Sequence, residues 1–410
     1  MQPRPDPVSF PFDPDLTDLI LTTLSDIQGL ESIILSSKFV YNVFNSRRAS
    51  ILRAVVSNQL GPATPSAVRL LKVMMNVDAY WRGWLAPLPV SKLPKEQDFQ
   101  PNNVDTIITM REAHILAANH NVVQELELLY SWRKKDPRLS SSRLTRCESD
   151  RFQAALYRVW FVCALYGRPA PANRVGKAKS KRLREIRGDV SREQAKFLQS
   201  FSPSQMTPLL EVWTFMVDLA TWAVRAEFFP QKSHSLEAYL IWCGPRTTLQ
   251  AFRGNLTSVD RKVVPALRTS YEQFCEVFNV AESLKQPGDG VLILPHERFL
   301  SKLKCEQCAR APLEGLWSES NWSYLRGIVP PSEFFNFVEL PWWNSYTDAD
   351  VLGDICRSTP YSQLIGEVFL LRSKAYRTWQ PGYWLCTTCL QIFMRDNIEA
   401  FCRSREYPEQ

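Results

Sequence analysis

The sequence predicts a predominantly α-helical protein whose C-terminal lobe is held together by a four-cysteine metal site. Two observations lead to this fold class. Apolar residues recur every three or four positions through most of the chain, which is the spacing of one face of a helix. Two Cys-x-x-Cys pairs stand near the C-terminus, Cys305 with Cys308 and Cys386 with Cys389. Paired cysteines at this spacing are typical of zinc ligands.

The composition is that of an ordinary folded protein. Of 410 residues, 45% are hydrophobic and 22% are charged, a balance that supports a sizeable core. The net charge of +7 is mild for this length and does not favour a nucleic-acid partner. No apolar leader opens the sequence, and the longest apolar stretch, 209–224, is too short to span a bilayer. We therefore expect an intracellular protein, cytoplasmic or nuclear, with no membrane partner.

The first helix is predicted directly after a proline-rich flexible lead, residues 1–12. Asp13 can cap this helix, and Pro14 occupies its first position, where a missing N–H is not needed. Four apolar residues then fall on one helical face. They are Leu16, Leu19, Ile20 and Leu24.

Three more short helices are predicted before residue 65. Gly29 is interpreted as a break, after which a second helix begins. Ser36 or Ser37 can cap a third helix. Ser50 begins a fourth, which 61–62 (Gly-Pro) ends.

Four segments of this region carry a resemblance to a known family. They are 12–24 (FDPDLTDLILTTL), 30–41 (LESIILSSKFVY), 50–53 (SILR) and 58–62 (NQLGP). Together they resemble an F-box, specifically the divergent F-box-like N-termini of fungal proteins. The resemblance covers roughly residues 12–65.

The resemblance implies a non-catalytic function. An F-box has no active site and offers an apolar helical face that the adaptor protein of a ubiquitin ligase buries. The chain would then recruit a target protein to a cullin-type ubiquitin ligase. The residues that would bind the adaptor are Leu16, Leu19, Ile20, Leu24 and Ile33. From the spacing alone, the same residues could equally be internal core.

The middle of the chain, 66–290, is predicted to be a helical body. Apolar spacing predicts helices within 64–75, 107–115, 122–130, 152–163 and 209–224. Cys163 lies on the apolar stripe of its helix, which favours a small core residue over a ligand. After this body, 291–294 (VLIL) predicts a short strand.

A basic stretch interrupts the helical body in the predicted loop 172–190. Its seven cationic residues are Arg174, Lys177, Lys179, Lys181, Arg182, Arg184 and Arg187. Such a stretch indicates either a nuclear-import signal or a solvated loop between helices. No aromatic residue is interleaved with the charges, which argues against stacking on single-stranded nucleic acid.

The C-terminal lobe, 291–410, carries the two cysteine pairs. Two residues between paired cysteines let both sulfurs reach one ion, so the pairs supply four thiolates for one structural Zn²⁺. The apolar spacing after Cys389 places the second pair near a helix N-terminus, whose dipole favours thiolate. A redox-active pair and simple packing residues remain as alternatives. Cys356 or Cys402 could replace one of the four ligands.

Between the two cysteine pairs, the segment 317–346 contains nine aromatic residues. They are Trp317, Trp322, Tyr324, Phe334, Phe335, Phe337, Trp342, Trp343 and Tyr346. They indicate either an aromatic core built around the metal or a recognition surface, since Trp and Tyr anchor interfaces.

Signals of catalysis are poor. The sequence has no His-Glu-x-x-His, Gly-x-Ser-x-Gly, Walker or Gly-x-Gly-x-x-Gly motif. Its four histidines are widely separated, and His114 and His120 lack the i, i+4 spacing of a helical metal pair. We expect a protein that is not an enzyme. The alternative to a ligase adaptor is a zinc-stabilised helical interaction or regulatory protein without a ligase link.

Overall fold

The computed structural model describes the helical parts of the chain and the surroundings of the cysteine pairs. The described residues are 13–76, 90–100, 107–135, 143–166, 192–225, 233–253, 292–294, 304–310, 316, 318, 384–386, 389–390 and 392–393. Of these residues, 80% are helical and none forms a strand. The predicted helical fold class is therefore confirmed. No helix in the described ranges is long and apolar enough to cross a membrane.

The chain divides into two compact units. The first contains Met1–Gln124 and Asp150–Ser200, and the second contains Glu125–Ser149 and Phe201–Gln410. The predicted boundaries at residues 12, 65 and 290 stay predictions. The basic stretch lies outside the described residues.

Eleven helices are present in the described ranges. They are α1 Pro14–Thr23, α2 Ile27–Ser36, α3 Lys38–Ser46, α4 Arg48–Leu60, α5 Thr64–Met75, α6 Met110–Lys134, α7 Arg146–Tyr166, α8 192–199, α9 Pro203–Arg225, α10 Ser233–Cys243 and α11 Pro245–Phe252. Short 3₁₀ turns occupy Gly61–Ala63, Val90–Lys92 and Glu96–Phe99.

Side-chain caps explain why the first three helices begin where they do. Asp13 accepts a 2.7 Å hydrogen bond from the Leu16 N–H, and Ser37 accepts one of 3.2 Å from the Phe39 N–H, as the sequence predicts. The interpretation of Gly29 as a break is wrong. Asp26 caps α2 by accepting from the Gly29 N–H at 2.7 Å, so this glycine lies inside the first turn of the helix.

Two further predictions of helix boundaries need correction. The fourth helix begins at Arg48 rather than Ser50, although Gly61 ends it as predicted, with a φ of 58°. The two helices predicted within 107–130 are one helix, α6. Its start is fixed by Thr109, whose N–H donates to Glu112 at 2.8 Å while the Glu112 N–H donates to the Thr109 hydroxyl. This capping box leaves Ile107 and Ile108 outside the helix.

The core of the first unit is apolar around α4 and α5. Its fully buried side chains include Leu21, Leu30, Ile51, Leu52, Val55, Leu70, Leu71, Phe152, Leu156 and Phe161. Charged groups also enter this core. Arg69 stacks 4.2 Å above the ring of Phe161, and Glu96 pairs with Arg158 through two 2.9 Å hydrogen bonds. Burial lowers the pKa of Arg69, while the Arg158 contact holds that of Glu96 below its usual value against the effect of burial.

The second unit contains α9, α10 and α11, which pack on one another. Tyr130 meets Phe215 edge to face at 5.4 Å, and Glu211 of α9 accepts hydrogen bonds from the Tyr130 hydroxyl and the Ile293 N–H. The strand predicted at 291–294 is not formed in its described part, 292–294. There the Ile293 N–H is bound by a carboxylate rather than by a neighbouring strand.

Candidate metal centre and an exposed N-terminal face

The four paired cysteines converge on one point of the second unit. The sulfur atoms of Cys305, Cys308, Cys386 and Cys389 all lie within 4.8 Å of one another. The Cys308 and Cys386 sulfurs are 3.7 Å apart. Metal–sulfur bonds of 2.3 Å in a tetrahedron would place the sulfurs about 3.8 Å apart. The arrangement therefore fits four ligands around a single ion.

A tight loop presents the first pair. The Cys305 N–H donates to the Arg310 carbonyl and the Ala309 N–H donates to the Cys305 carbonyl, both at 2.8 Å. The loop closes because Ala309 adopts a left-handed backbone with a φ of 58°. Glycine usually occupies such a position, since it has no Cβ to clash with the following carbonyl. The bonds hold both cysteines of the pair on the same side of the loop.

The second pair lies at the start of a helical segment, as the sequence predicts. Residues 389–390 and 392–393 are helical. The Leu390 N–H donates to the Cys386 carbonyl at 3.0 Å, and the Cys389 N–H donates to the Cys386 sulfur at 3.4 Å. Amide groups that point at a sulfur favour its thiolate form. The helix start therefore offers one such amide to Cys386, although burial outweighs its effect and leaves the pKa of this thiol raised.

Backbone hydrogen bonds also join the two pairs directly. The Glu306 N–H donates to the Trp384 carbonyl at 3.0 Å, and the Trp384 N–H donates to the Glu306 carboxylate at 2.9 Å. The side chains of Leu385, Leu390 and Phe393, which are close to the second pair in sequence, are buried. Two hydrogen bonds between Glu306 and Trp384 thus connect the short segments that carry the two pairs.

The ionisation of three of the thiols is consistent with a site for a cation. Burial alone would raise the pKa of Cys305, but hydrogen bonds from the amides of Cys386, Cys308 and Gln307 lower it to about 7. Burial raises the pKa of Cys386 and Cys389, and the neighbouring sulfurs add to the rise for Cys389. An ionised Cys305 therefore opposes the ionisation of Cys386 and Cys389 beside it. A divalent ion at this point would remove the conflict, because it stabilises its ligands as thiolates.

The other candidate ligands do not join this centre. Cys163 is buried in α7, as expected of a core residue. The exposed His114 pairs with Glu31 at 2.6 Å, and His120 is buried in α6. Cys356, Cys402 and the nine aromatic residues of 317–346 lie outside the described residues. In the part of the chain that the structure describes, the paired cysteines are the one group placed to hold a metal.

The second site feature is the outer face of α1. Leu16, Leu19 and Ile20 are 49%, 58% and 39% exposed, while Thr17 and Leu21 on the opposite face are buried. Of the remaining predicted contact residues, Leu24 and Ile33 are half-buried. The helix therefore places polar Thr17 inward and three large apolar side chains outward, the reverse of a helix that only serves a core.

Polar contacts from Asn58 of α4 and from Arg47, which lies between α3 and α4, hold α1 in this orientation. The Asn58 amide donates to the carbonyls of Thr22 and Leu24 at 2.8 and 3.0 Å, which satisfies the open end of the helix. Arg47 forms a 2.8 Å ion pair with Asp18. The exposed face is therefore a fixed surface, because the helix is tied at its middle and at its end.

Sequence reasoning missed two further exposed apolar residues of the N-terminal helices. Leu35 of α2 is 82% exposed and Tyr41 of α3 is also exposed. Their helical spacing carries a signal, since the buried residues of α2 are Ile27, Leu30 and Ile34, which leaves Leu35 on another face.

Comparisons with family models, curated proteins and solved structures find no match for this chain. The F-box-like resemblance of residues 12–65 thus stays a prediction.

Proposed function

We propose that the chain is a non-catalytic adaptor that recruits a target protein to a cullin-type ubiquitin ligase. In this proposal, the outer face of α1 binds the ligase's own adaptor protein. The function requires apolar residues that the chain's own core leaves uncovered. The exposure of Leu16, Leu19 and Ile20 meets this requirement, and it is the observation that carries the proposal. Burial of three such side chains by a partner is a typical basis for helix recognition.

A binding assay with two matched variants tests the adaptor proposal. Leu19→Asp with Ile20→Asp places charges on the outer face of α1, and we expect binding to a purified ubiquitin-ligase adaptor to fall by about 100-fold. Ile107→Asp is the control, because Ile107 is 64% exposed in the same unit but does not lie on α1. Circular dichroism should show equal helix content in all three proteins.

Undiminished binding by the double variant would contradict the proposed surface. Absence of adaptor binding by the unmodified chain would favour the second candidate, a zinc-stabilised interaction protein without a ligase link. That candidate needs the cysteine centre but no function for α1.

We further propose that the ion at the cysteine centre is one structural Zn²⁺. Four thiolates in a tetrahedron are a typical structural zinc site, in which every coordination position is filled by protein. The ion would hold the loop at Cys305 and Cys308 against the helix start at Cys386 and Cys389. Because no position is left for a substrate, its contribution is to stability.

Metal analysis of the purified protein tests the zinc assignment. We expect one equivalent of zinc per chain, and no metal after Cys386→Ser or after Cys389→Ser. Cys163→Ser is the matched control, since this buried cysteine lies outside the centre. Iron in place of zinc, visible as colour, would contradict the assignment.

A further inference from the structure

We propose that Cys308 and Cys386 are an oxidant-sensitive pair, which a peroxide converts into a disulfide with loss of the metal. The inference rests on the proposed zinc site. It assigns to the centre a reversible modification in addition to its structural role. The two residues come from different cysteine pairs, so their disulfide would join the two ends of the segment 309–385.

Exposure distinguishes Cys308 from the other three cysteines. Cys305, Cys386 and Cys389 are 1%, 6% and 8% exposed, whereas Cys308 is exposed. Its neighbours Glu306, Gln307 and Ala309 are also exposed, so Cys308 is the one cysteine of the four that lies in an exposed stretch of the chain. Oxidation of thiolates follows access and thiolate character. A metal keeps all four sulfurs as thiolates, so access decides which of them meets an oxidant first.

The partner sulfur is already in place. Cys386 Sγ lies 3.7 Å from Cys308 Sγ, and a disulfide needs a sulfur–sulfur distance of about 2.0 Å. To form the disulfide, the two sulfurs must therefore move closer together by less than the diameter of one atom. The exposed Cys308 loop can supply this movement, since its other side faces solvent.

The chemistry uses one hydroperoxide for each disulfide. The Cys308 thiolate attacks a peroxide oxygen, an S–O bond forms, the O–O bond breaks, and hydroxide leaves. The Cys386 thiolate then attacks the Cys308 sulfur, the S–S bond forms, the S–O bond breaks, and a second hydroxide leaves. The two sulfurs together lose two electrons, which reduce the peroxide. A thiol reductant reverses the change by disulfide exchange.

The disulfide would replace the cross-link that the metal makes between the two cysteine pairs. Only Cys305 and Cys389 would remain as metal ligands, and two thiolates hold zinc far more weakly than four. The intervening residues 309–385 would stay closed into a loop, because the new bond joins the two pairs. Oxidation within a pair, such as Cys305 with Cys308, would instead release that loop.

Zinc release provides the first test. A zinc indicator should report release on adding hydrogen peroxide to the reduced, zinc-loaded chain. Cys308→His keeps a four-ligand set without the exposed thiolate, and we expect release to be slower by about tenfold or more. Cys305→His is the matched control, because it alters a buried ligand of the same pair and leaves Cys308 in place. Equal release rates in the two variants would overturn the assignment of Cys308.

Peptide mapping of the oxidised wild-type chain provides the second test. Trypsin cleaves after Lys304, Arg310, Arg377 and Arg395, so each pair falls in one peptide. A disulfide between Cys308 and Cys386 links the peptides 305–310 and 378–395, and fragmentation identifies the joined residues. Unlinked peptides, each lighter by two hydrogens, would overturn the proposal.

The two tests separate this inference from the zinc proposal. A reduced chain that contains no zinc overturns the zinc assignment, and the peptide map still decides whether Cys308 and Cys386 form the disulfide. A zinc-loaded chain that keeps its metal under peroxide, with all four cysteines reduced, overturns the inference alone.

Discussion

The N-terminal helices and the cysteine centre are stabilised in different ways. Helices α1–α5 follow one another within 14–75, and apolar side chains from each of them are buried in the first unit. The cysteine centre instead joins 305–308 to 386–389 across the 77 residues of 309–385. Among the described residues near this centre, only a few apolar side chains are buried. The first region is therefore stabilised by apolar burial, and the second needs a cross-link to offset the entropy of closing a long loop.

Metal removal should produce the largest difference between the two regions. Structural zinc contributes about 10–16 kcal/mol of apparent binding free energy in small zinc domains, so its loss should open the centre. After chelation, we expect hydrogen exchange to accelerate at the Cys305, Glu306 and Leu390 amides, whose hydrogen bonds lie in the 305–310 loop, between the two cysteine segments and at the helix start, respectively. The amides of α4 should exchange unchanged. Equal acceleration in both regions would show that their stabilities are not separate.

A core substitution should have the opposite effect. Leu52 is fully buried in α4, and Leu52→Ala should lower the free energy of unfolding by about 2–5 kcal/mol. Leu19→Ala is the matched control, because Leu19 is exposed, and it should change this energy by about 0.5 kcal/mol or less. Urea denaturation measures both, and bound zinc should stay at one equivalent. A large loss of stability with Leu19→Ala would mean that the face of α1 is covered.

Much of the helical fold could be predicted because its causes are local. The caps at Asp13 and Ser37 and the end of α4 at Gly61 involve residues within four positions of one another. Errors in the predicted helix boundaries arose where a residue type was assumed to have the same effect in every context. Gly29 can break a helix, but Asp26 captures its N–H at the start of α2. The start of α6 depends on the Thr109–Glu112 box, and Lys72 of α5 also bonds to Glu112.

The cysteine centre could be predicted as a ligand set but not as a geometry. Spacing alone identifies Cys305, Cys308, Cys386 and Cys389, since each pair can serve one ion. It does not show that Glu306 and Trp384 bond the two pairs together, because this contact spans 78 positions. The sequence also could not predict which side of α1 stays exposed, because one apolar stripe is compatible with either a core face or a binding face. Contacts from Asn58 and Arg47 decide which side is buried.

A buried histidine should make the stability of the first unit depend on pH. His120 is 3% exposed and burial lowers its pKa to about 4, from an ordinary 6.5. The folded state favours the neutral His120 ring. The stability that depends on this neutral ring is therefore fully present above pH 6.5 and is lost as the pH falls toward 4. We expect a loss of about 3 kcal/mol across this window, and a smaller loss after His120→Leu. Urea denaturation at several pH values measures it. An unchanged pH dependence in the variant would place the titration elsewhere.

The smallest expected effect concerns the backbone of the cysteine loop. Ala309 holds a φ of 58°, which costs a residue with a Cβ about 1 kcal/mol relative to glycine. Ala309→Gly should therefore favour the loop that presents Cys305 and Cys308, and raise zinc affinity by about fivefold. The flexibility of glycine in the unfolded chain opposes part of this gain. Competition with a chromophoric chelator measures the affinity. Weaker binding would mean that the loop takes its left-handed turn only once the metal is bound, so that the ion imposes the geometry instead of finding it prepared.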